Sequence, residues 1–289
     1  MKAEVVDNSM DYRPLTMEDR DRVEKCRNNQ LNPFTALTFT SLFTWRKEYG
    51  LEIAGDEDYF VIRSRHDNAY FSPCGDKEKC RTFIEENVKP GESILYLTKE
   101  QAEALGDGWE IRKRDDLSEY VCATPALALK EGFHMSHSFK DKCRQYKKRH
   151  PYEVRKMTID DLPLIIRIAR DWEEADPEGG GDLQALEEEI CFYSEITLNG
   201  VIVTTENGGH AFIMGYENTP EMFTMTMVKH DLDLPLLMTP VCVHELACAL
   251  VDRYPYINLE EDLGLEGLRR AKQLYSPIRQ LEVYEAVRK

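Results

Sequence analysis

The sequence predicts an α+β (mixed α/β) fold built as two tandem lobes, residues 1–125 and 126–289, each a mixed sheet flanked by helices. Three observations carry that prediction. At 289 residues the chain is long enough for about two domains, each burying its own core. Stretches of period two and stretches of period 3.6 are interspersed along the chain rather than segregated. A short start pattern also occurs twice: a tyrosine strand, a threonine cap and an acid three residues on, at Tyr12, Thr16 and Asp19 and again at Tyr152, Thr158 and Asp161. Two such starts at matching places in similarly sized halves point to a duplicated lobe.

In chain order, Thr16 opens a helix to about residue 29. Residues 34–49 are rich in aromatics and threonine, with Phe39, Phe43 and Trp45 sharing a core. Residues 59–63 and 69–72 read as a strand pair. They are followed by a helix over 76–87, a strand over 93–97, a short helix over 99–105 and a strand over 109–112. Thr158 opens the second lobe with an amphipathic helix to about Trp172. The Pro177-Glu-Gly-Gly-Gly-Asp182 run breaks the pattern, and Asp182 can cap the next helix. Three strand-like runs follow at 201–205, 211–216 and 222–229, with turns at Asn207-Gly-Gly-His210 and Glu217-Asn-Thr-Pro220. Residues 236–253 form an apolar helix with Pro240 in its first turn. The last strand spans 281–287, placing Leu281, Val283, Glu285 and Val287 on one face.

Composition narrows the function classes. Apolar and charged fractions of 42% and 31% describe a globular chain, and no window is apolar enough to span a bilayer. The N-terminus lacks a secretory h-region. The eight cysteines include no C-x-x-C pair, so most of them read as reduced, small core residues of a cytoplasmic protein, and no metal site is expected. A net charge of −16 argues against coating nucleic acid with the whole surface, while leaving room for a local basic footprint.

The candidate chemistry lies in residues 256–277. A short strand turns through Glu260, Glu261 and Asp262 into a helix on which Leu265, Leu268, Ala271 and Leu274 recur at helical spacing, with Glu266, Arg269, Arg270 and Gln273 outward. Ser276 precedes a proline, which stops the helix at about Tyr275. A carboxylate cluster at a strand end, with a tyrosine about three turns along, suits acyl transfer: one group deprotonates an attacking amine and another protonates the leaving group. The alternative is that the acids merely favour a helix N-terminus.

A second feature is the basic run over 140–156, with Lys140, Lys142, Arg144, Lys147, Lys148 and Arg149 on phosphate-contacting duty and Tyr146 or His150 stacking on a base. Its alternative is a solvated face pairing with acids elsewhere. His210 and His244 read as core histidines, Trp172 as a core tryptophan, and Glu245 as a weaker site candidate.

The order strand, helix, helix, three antiparallel strands, helix, strand, helix, strand resembles the GNAT acyltransferase fold. The core Asn258-Leu-Glu-Glu-Asp-Leu-Gly-Leu-Glu-Gly-Leu-Arg-Arg-Ala-Lys272 looks like the signature of a bacterial family of unknown function. That family is similar to the C-terminal domain of phosphatidylglycerol lysyltransferase and, beyond it, to the Fem-type aminoacyl-tRNA-dependent transferases. The resemblance extends over nearly the whole chain. It implies two GNAT-like lobes, an acyl-transfer site associated with the second lobe and the cleft between them, an aminoacyl ester donor with tRNA as partner, and an amine or hydroxyl of a small molecule or peptide as acceptor. The lysyltransferase proper also has a membrane-embedded half without counterpart here, which turns the expected acceptor away from lipid.

The matching positions are Asn258, Glu260, Glu261, Asp262, Gly264, Gly267, Arg269, Lys272 and Tyr275. The roles that follow give Glu260 or Glu261 acceptor binding or general-base work with Asp262 in support. Arg269 and Lys272 hold donor phosphate or carboxylate, Asn258 lines the substrate site, and Tyr275 assists the leaving oxygen. No cofactor is required. An acyl-CoA donor is the alternative, and it is disfavoured because the junction over 228–239, where such enzymes hold pyrophosphate on a glycine-rich turn, has no glycine and carries Asp231 and Asp233. A non-catalytic binding module gripping a cation is the third reading.

Overall fold

Thr16 and Thr158 open two units in the same way. In the computed structural model, which describes residues 10–29, 32–176 and 182–289, each threonine and the acid three residues later form a capping box around a 3-10 turn. Arg13 donates to both carboxylate oxygens of Asp19 at 2.8 and 2.6 Å, while the Thr16 N–H reaches the same carboxylate at 3.0 Å. Arg155 holds Asp161 in the same two-pronged manner, with the Thr158 N–H at 2.8 Å. The shared motif is Arg-x-x-Thr-x-x-Asp, and its arginine matters more than the tyrosine that marks it in the sequence.

The chain divides into two compact units, the first running to Lys113 and regaining Val283–Lys289, the second spanning Arg114–Glu282. The change therefore falls at 113/114, against 125/126 in the sequence reading. It lies inside a strand that runs unbroken to Ala123 instead of ending near residue 112.

Unit 1 contains β1 (Arg13–Pro14), α1 (Arg20–Asn29), α2 (Phe39–Trp45), β2 (Leu51–Asp56), β3 (Tyr59–Ser64), β4 (Ala69–Phe71), β5 (Cys74–Gly75), α3 (Lys77–Asn87), β6 (Ser93–Leu97), α4 (Lys99–Ala104) and the start of β7 (Trp109–Ala123). Its sheet runs β1-β2-β3-β4-β6 and is completed by the C-terminal strand, with β5 on β3. Only β4 and β6 are parallel. Asp76 caps α3 by accepting from the N–H groups of Glu78 and Lys79. The core joins Val61, Tyr70, Phe83, Ile94 and Ala286.

Unit 2 holds the rest of β7, then α5 (Thr124–Leu127), α6 (His137–Arg149), β8 (Tyr152–Lys156), α7 (Leu162–Ala175), α8 (Asp182–Cys191), α9 (Tyr193–Ile196), β9 (Asn199–Thr205), β10 (His210–Thr219), β11 (Met222–His230), α10 (Met238–Leu250), β12 (Tyr256–Asn258), α11 (Glu266–Leu274) and the start of β13 (Arg279–Arg288). The Pro177–Gly181 part of the expected turn lies outside the described residues. Asp182 is the first residue of α8, and its carboxylate meets Lys229 at 3.0 Å. The sheet order is β7-β12-β11-β10-β9-β8. β11 and β12 are parallel and pair only from Met222–Thr224 against Tyr256–Asn258. β12 then stops while β11 continues to His230.

Strand side chains alternate between faces, and the alternation decides what the core meets. Val201, Val203, Ala211, Ile213, Phe223 and Ile257 join α5, α6 and α10 in one cluster. Ile202, Phe212, Thr224 and Asn258 consequently point to the other face. α6 contributes Phe139, Cys143 and Tyr146, buried at helical spacing; each buried aromatic stabilises by about 1.5–3 kcal/mol. The final strand departs from a simple alternation. A register irregularity between Tyr284 and Ala286 puts Val283 and Ala286 inside, in place of a face made of Leu281, Val283, Glu285 and Val287.

Candidate functional site

Asn258 is the last residue of β12 and is fully buried. Its Nδ2 donates to Glu119 Oε2 of β7 at 2.5 Å, and its Oδ1 accepts from the Glu260 N–H at 2.8 Å. That second bond fixes Glu260 in the left-handed region at φ 60°, a conformation that costs a residue with a Cβ about 1 kcal/mol or more. Two further bonds lock the loop to β7: Leu259 N–H to Tyr120 O at 2.8 Å and Tyr120 N–H to Glu260 O at 3.1 Å. The strained backbone is thus held by four hydrogen bonds, and it sets Glu260 and Glu261, both half-buried, within each other's electrostatic field.

The other two charged residues of the segment build the walls. Asp262 is buried and accepts from the Tyr120 hydroxyl at 2.6 Å, from Arg269 Nε at 2.8 Å and Nη2 at 3.2 Å, and from the Gly264 N–H at 2.9 Å. The Arg269 guanidinium, followed by the tyrosine and backbone bonds, holds its carboxyl down at about 2 against the resistance of burial. Lys272 Nζ donates to the carbonyls of Leu259, at 2.5 Å, and of Glu261. Asp262 and Lys272 therefore tie α11 to the turn from inside.

Burial raises Glu260 well above the usual carboxylate range, and the charge of neighbouring Glu261 adds to it, with Glu119 and Glu189 of α8 in the same direction. Glu261 is raised too, chiefly by burial. Burial also lowers Lys272, although Glu260, Glu261 and Asp262 pull it up. Both glutamates are half-buried, reachable by solvent from one side and covered by protein on the other, a shallow recess. Arg269 occupies Asp262, so Glu260 and Glu261 are left to the half-buried Lys272. Two adjoining acids with raised affinities share protons, so one can donate while the other accepts.

Asn258, Glu260, Glu261, Asp262, Arg269 and Lys272 come together here, but Tyr275 does not join them. It is a core residue, with its ring 5.6 Å from that of Phe139 in an edge contact. Its hydroxyl lies in the field of Cys242, Cys143 and Cys122, where burial makes it harder to ionise. The stripe of α11 meets the core only at Leu274, and its earlier members face outward. Leu265 and Leu268 are 56% and 40% exposed, and no residue of the helix is buried. Ion pairing and carbonyl coordination by Arg269 and Lys272 decide which face turns inward. Sequence reasoning missed Glu119 and Glu189, which lie about 140 and 70 residues before Glu260; only the strand pairing and helix packing bring them in, and no local pattern marks them.

On α6, Arg144, Lys147, Lys148 and Arg149 are exposed and Lys140 and Lys142 half-exposed. None of the six forms an ion pair among the described residues, so the face is solvated but not neutralised by acids of the chain. Tyr146 cannot serve as a stacking platform, being buried against His150 and Tyr152; His150 remains exposed. Glu245 accepts from the Tyr152 hydroxyl at 2.6 Å, and His244 Nδ1 meets Leu127 O at 2.9 Å. At the β11–α10 junction Asp231 is held by Arg167 at 2.6 Å and by the His210 N–H at 2.6 Å, which offsets part of its repulsion toward phosphate. Among the described residues no helix is long and apolar enough to cross a membrane.

The family model described as phosphatidylglycerol lysyltransferase, C-terminal, matches residues 28–287. A comparison with curated proteins found no match. Among solved structures, a conserved protein of unknown function from Bacteroides thetaiotaomicron is 25% identical, with a TM-score of 0.86 over 97% of this chain and 100% of its own. The C-terminal domain assigned to a lysylphosphatidylglycerol synthetase from Agrobacterium fabrum is 12% identical, with a TM-score of 0.67 over 94% of this chain and 92% of its own. FemX is 9% identical, with a TM-score of 0.62 over 97% and 98%. The latter two likenesses concern the fold alone. With the model match spanning nearly the whole sequence, the chain belongs to the family of the phosphatidylglycerol lysyltransferase C-terminal domain.

Proposed function

We propose that the protein is an acyltransferase that moves an aminoacyl group from aminoacyl-tRNA to an amine or hydroxyl of a small molecule or peptide. The observation that carries this reading is the half-buried recess in which Glu260 is held in a left-handed backbone conformation, within the field of Glu261 and Lys272. In the proposed step, the acceptor nitrogen or oxygen attacks the carbonyl carbon of the aminoacyl ester and loses its proton to the ionised carboxylate of the pair. The ester C–O bond breaks, and the departing ribose oxygen takes the proton held by the other carboxyl. The two roles are shared within the pair, one carboxyl protonated as donor and the other ionised as acceptor. Asn258 and Glu119 position Glu260; Arg269 and Lys272 brace the turn. Tyr275 has no part in the step.

The unpaired basic face of α6 supports tRNA as the donor's carrier, since phosphate contact needs cations not already neutralised. The glycine-free junction, with Pro240 lacking an N–H in the first turn of α10, speaks against CoA. The twin Arg-x-x-Thr-x-x-Asp starts support a duplicated lobe. In unit 1 the counterpart of β12 is β6, also parallel to its neighbour, and it continues as Leu95-Tyr96-Leu97 without acids, which leaves the chemistry to unit 2.

The test is a pair of titrations at low salt, one with charged tRNA and one with acetyl-CoA. Salt-sensitive tRNA binding that disappears on reversing Lys147, Lys148 and Arg149 supports the reading. Binding of acetyl-CoA alone would replace the donor, and binding of neither would make the protein a non-catalytic module.

A further inference from the structure

The α10 face of unit 2, opposite the face to which Asn258 points, carries a groove of about 430 Å³ between helix and sheet. Its floor is apolar, made by Val154, Val201, Leu246, Ala249 and Leu250. Its rim is cationic, with Arg155 and Lys156 at one side and Arg253 at the other. Arg155 is engaged with Asp161 and Arg253 with Glu217, whereas Lys156 holds no acid among the described residues.

One wall of the groove is an open strand edge. β8 closes the sheet order of unit 2, pairing with β9 along Tyr152–Lys156 and with no other described strand. Four of its five residues are exposed, among them Val154 at 37%. Such an edge offers a row of main-chain donors and acceptors to any extended chain that lies beside it.

We propose that this groove binds an extended acidic-apolar peptide, added as a strand alongside β8. Main-chain bonds to the edge supply the pairing, an apolar side chain enters against Leu246 and Leu250, and a neighbouring acid meets Lys156. The volume suits one or two side chains, at the small end of ordinary ligand sites. A lipid would leave the row of backbone groups unused, and the free cation selects an acid in that register. The chain as a whole carries −16, so a cationic rim beside an apolar floor and an open strand edge is a local exception, distinct from the basic face of α6, which has no such edge. None of this depends on the acyl-transfer reading, because the recess lies on the other face.

Fluorescence anisotropy on the full chain tests the inference, with a fluorescein-labelled peptide of sequence Glu-Leu-Glu-Val-Asp-Leu as the probe. Saturable binding is expected, weakened about ten-fold or more by Lys156→Glu and by Ala249→Trp. Both are substitutions of exposed residues, and thermal unfolding confirms that each variant folds. A peptide with lysines in place of its acids, and one N-methylated at alternate residues, should not bind. Absence of saturable binding, binding that survives both substitutions, or equal binding of the N-methylated peptide would overturn the inference. Occupation of the groove by oleate or by anionic phospholipid vesicles, blocked by Ala249→Trp while the peptide fails to bind, would assign it to an amphiphile instead and likewise overturn it.

Discussion

Asn258 and Glu119 meet through a 2.5 Å bond from the amide nitrogen to the carboxylate, and the amide oxygen of the same Asn258 holds the backbone N–H of Glu260. One side chain thereby couples a buried acid of β7 to the strained residue of the recess. Asn258→Ala removes both bonds and leaves polar groups buried without them. A loss of about 1–3 kcal/mol is expected in urea unfolding, the ordinary cost of orphaning a buried polar group. A change within experimental error would mean that the amide does not hold the turn.

Asp262 links stability to pH. Its carboxyl is lowered to about 2 from an ordinary 3.8, so the folded state favours the ionised form. The resulting stabilisation is fully present above about pH 4 and is lost as pH falls through about 2; at 1.36 kcal/mol per unit it amounts to about 2 kcal/mol. Asp262→Asn should be less stable than the parent at pH 7, with the gap closing toward pH 2. A gap independent of pH would rule out the linkage.

Glu260 is shifted in the opposite direction, and the sign of its effect reverses. A raised carboxyl destabilises the folded state as pH rises above the unfolded value, because folding then opposes ionisation. Glu260→Gln should therefore melt at a higher temperature than the parent at pH 7, with a smaller difference at pH 4. A variant that is more stable and less active is the pattern expected of a residue placed for chemistry.

The outward leucines of α11 give a contrast in packing. Leu268→Gln should change stability by no more than about 0.5 kcal/mol, whereas Phe139→Ala in the buried face of α6 should cost about 3–5 kcal/mol. Equal costs would show that the α11 stripe is covered in solution.

The elements were legible where short-range chemistry decides them. Thr16, Thr158 and Asp76 mark helix starts by capping, the 201–229 strands alternate cleanly, and Asn258 to Lys272 stands out as one charged, glycine-punctuated turn. Two features misled. The leucine spacing on α11 matches a buried face, yet attraction between Arg269 and Asp262 and the grip of Lys272 on two carbonyls leave Leu265 and Leu268 outward, with only Leu274 reaching the core. Tyr275 follows the acids closely in sequence, but the end of α11 delivers its ring to the core beside Phe139. Glu119 and Glu189 could not be found from spacing at all, since strand pairing and helix packing bring them to Glu260 from distant parts of the chain.

Tyr275→Phe separates packing from chemistry. The ring stays in place, and only a hydroxyl remote from the recess is lost, so transfer should persist at about the parent rate, with any stability change below about 1.5 kcal/mol. Abolished transfer in a folded Tyr275→Phe variant would return that hydroxyl to the reaction.

The most direct measurement follows the amino acid itself. Aminoacyl-tRNA carrying a radiolabelled amino acid mixture is incubated with the protein and a low-molecular-mass extract, and label is counted in products separated by chromatography from both tRNA and free amino acid, with mild alkali then distinguishing ester from amide products. The recess predicts labelled product with the parent protein, a loss of at least about 100-fold with Glu260→Gln at unchanged tRNA binding, and retention with Tyr275→Phe. Undiminished transfer by a folded Glu260→Gln variant, or no transfer by the parent with any charged tRNA, would contradict the assignment of the recess to aminoacyl transfer.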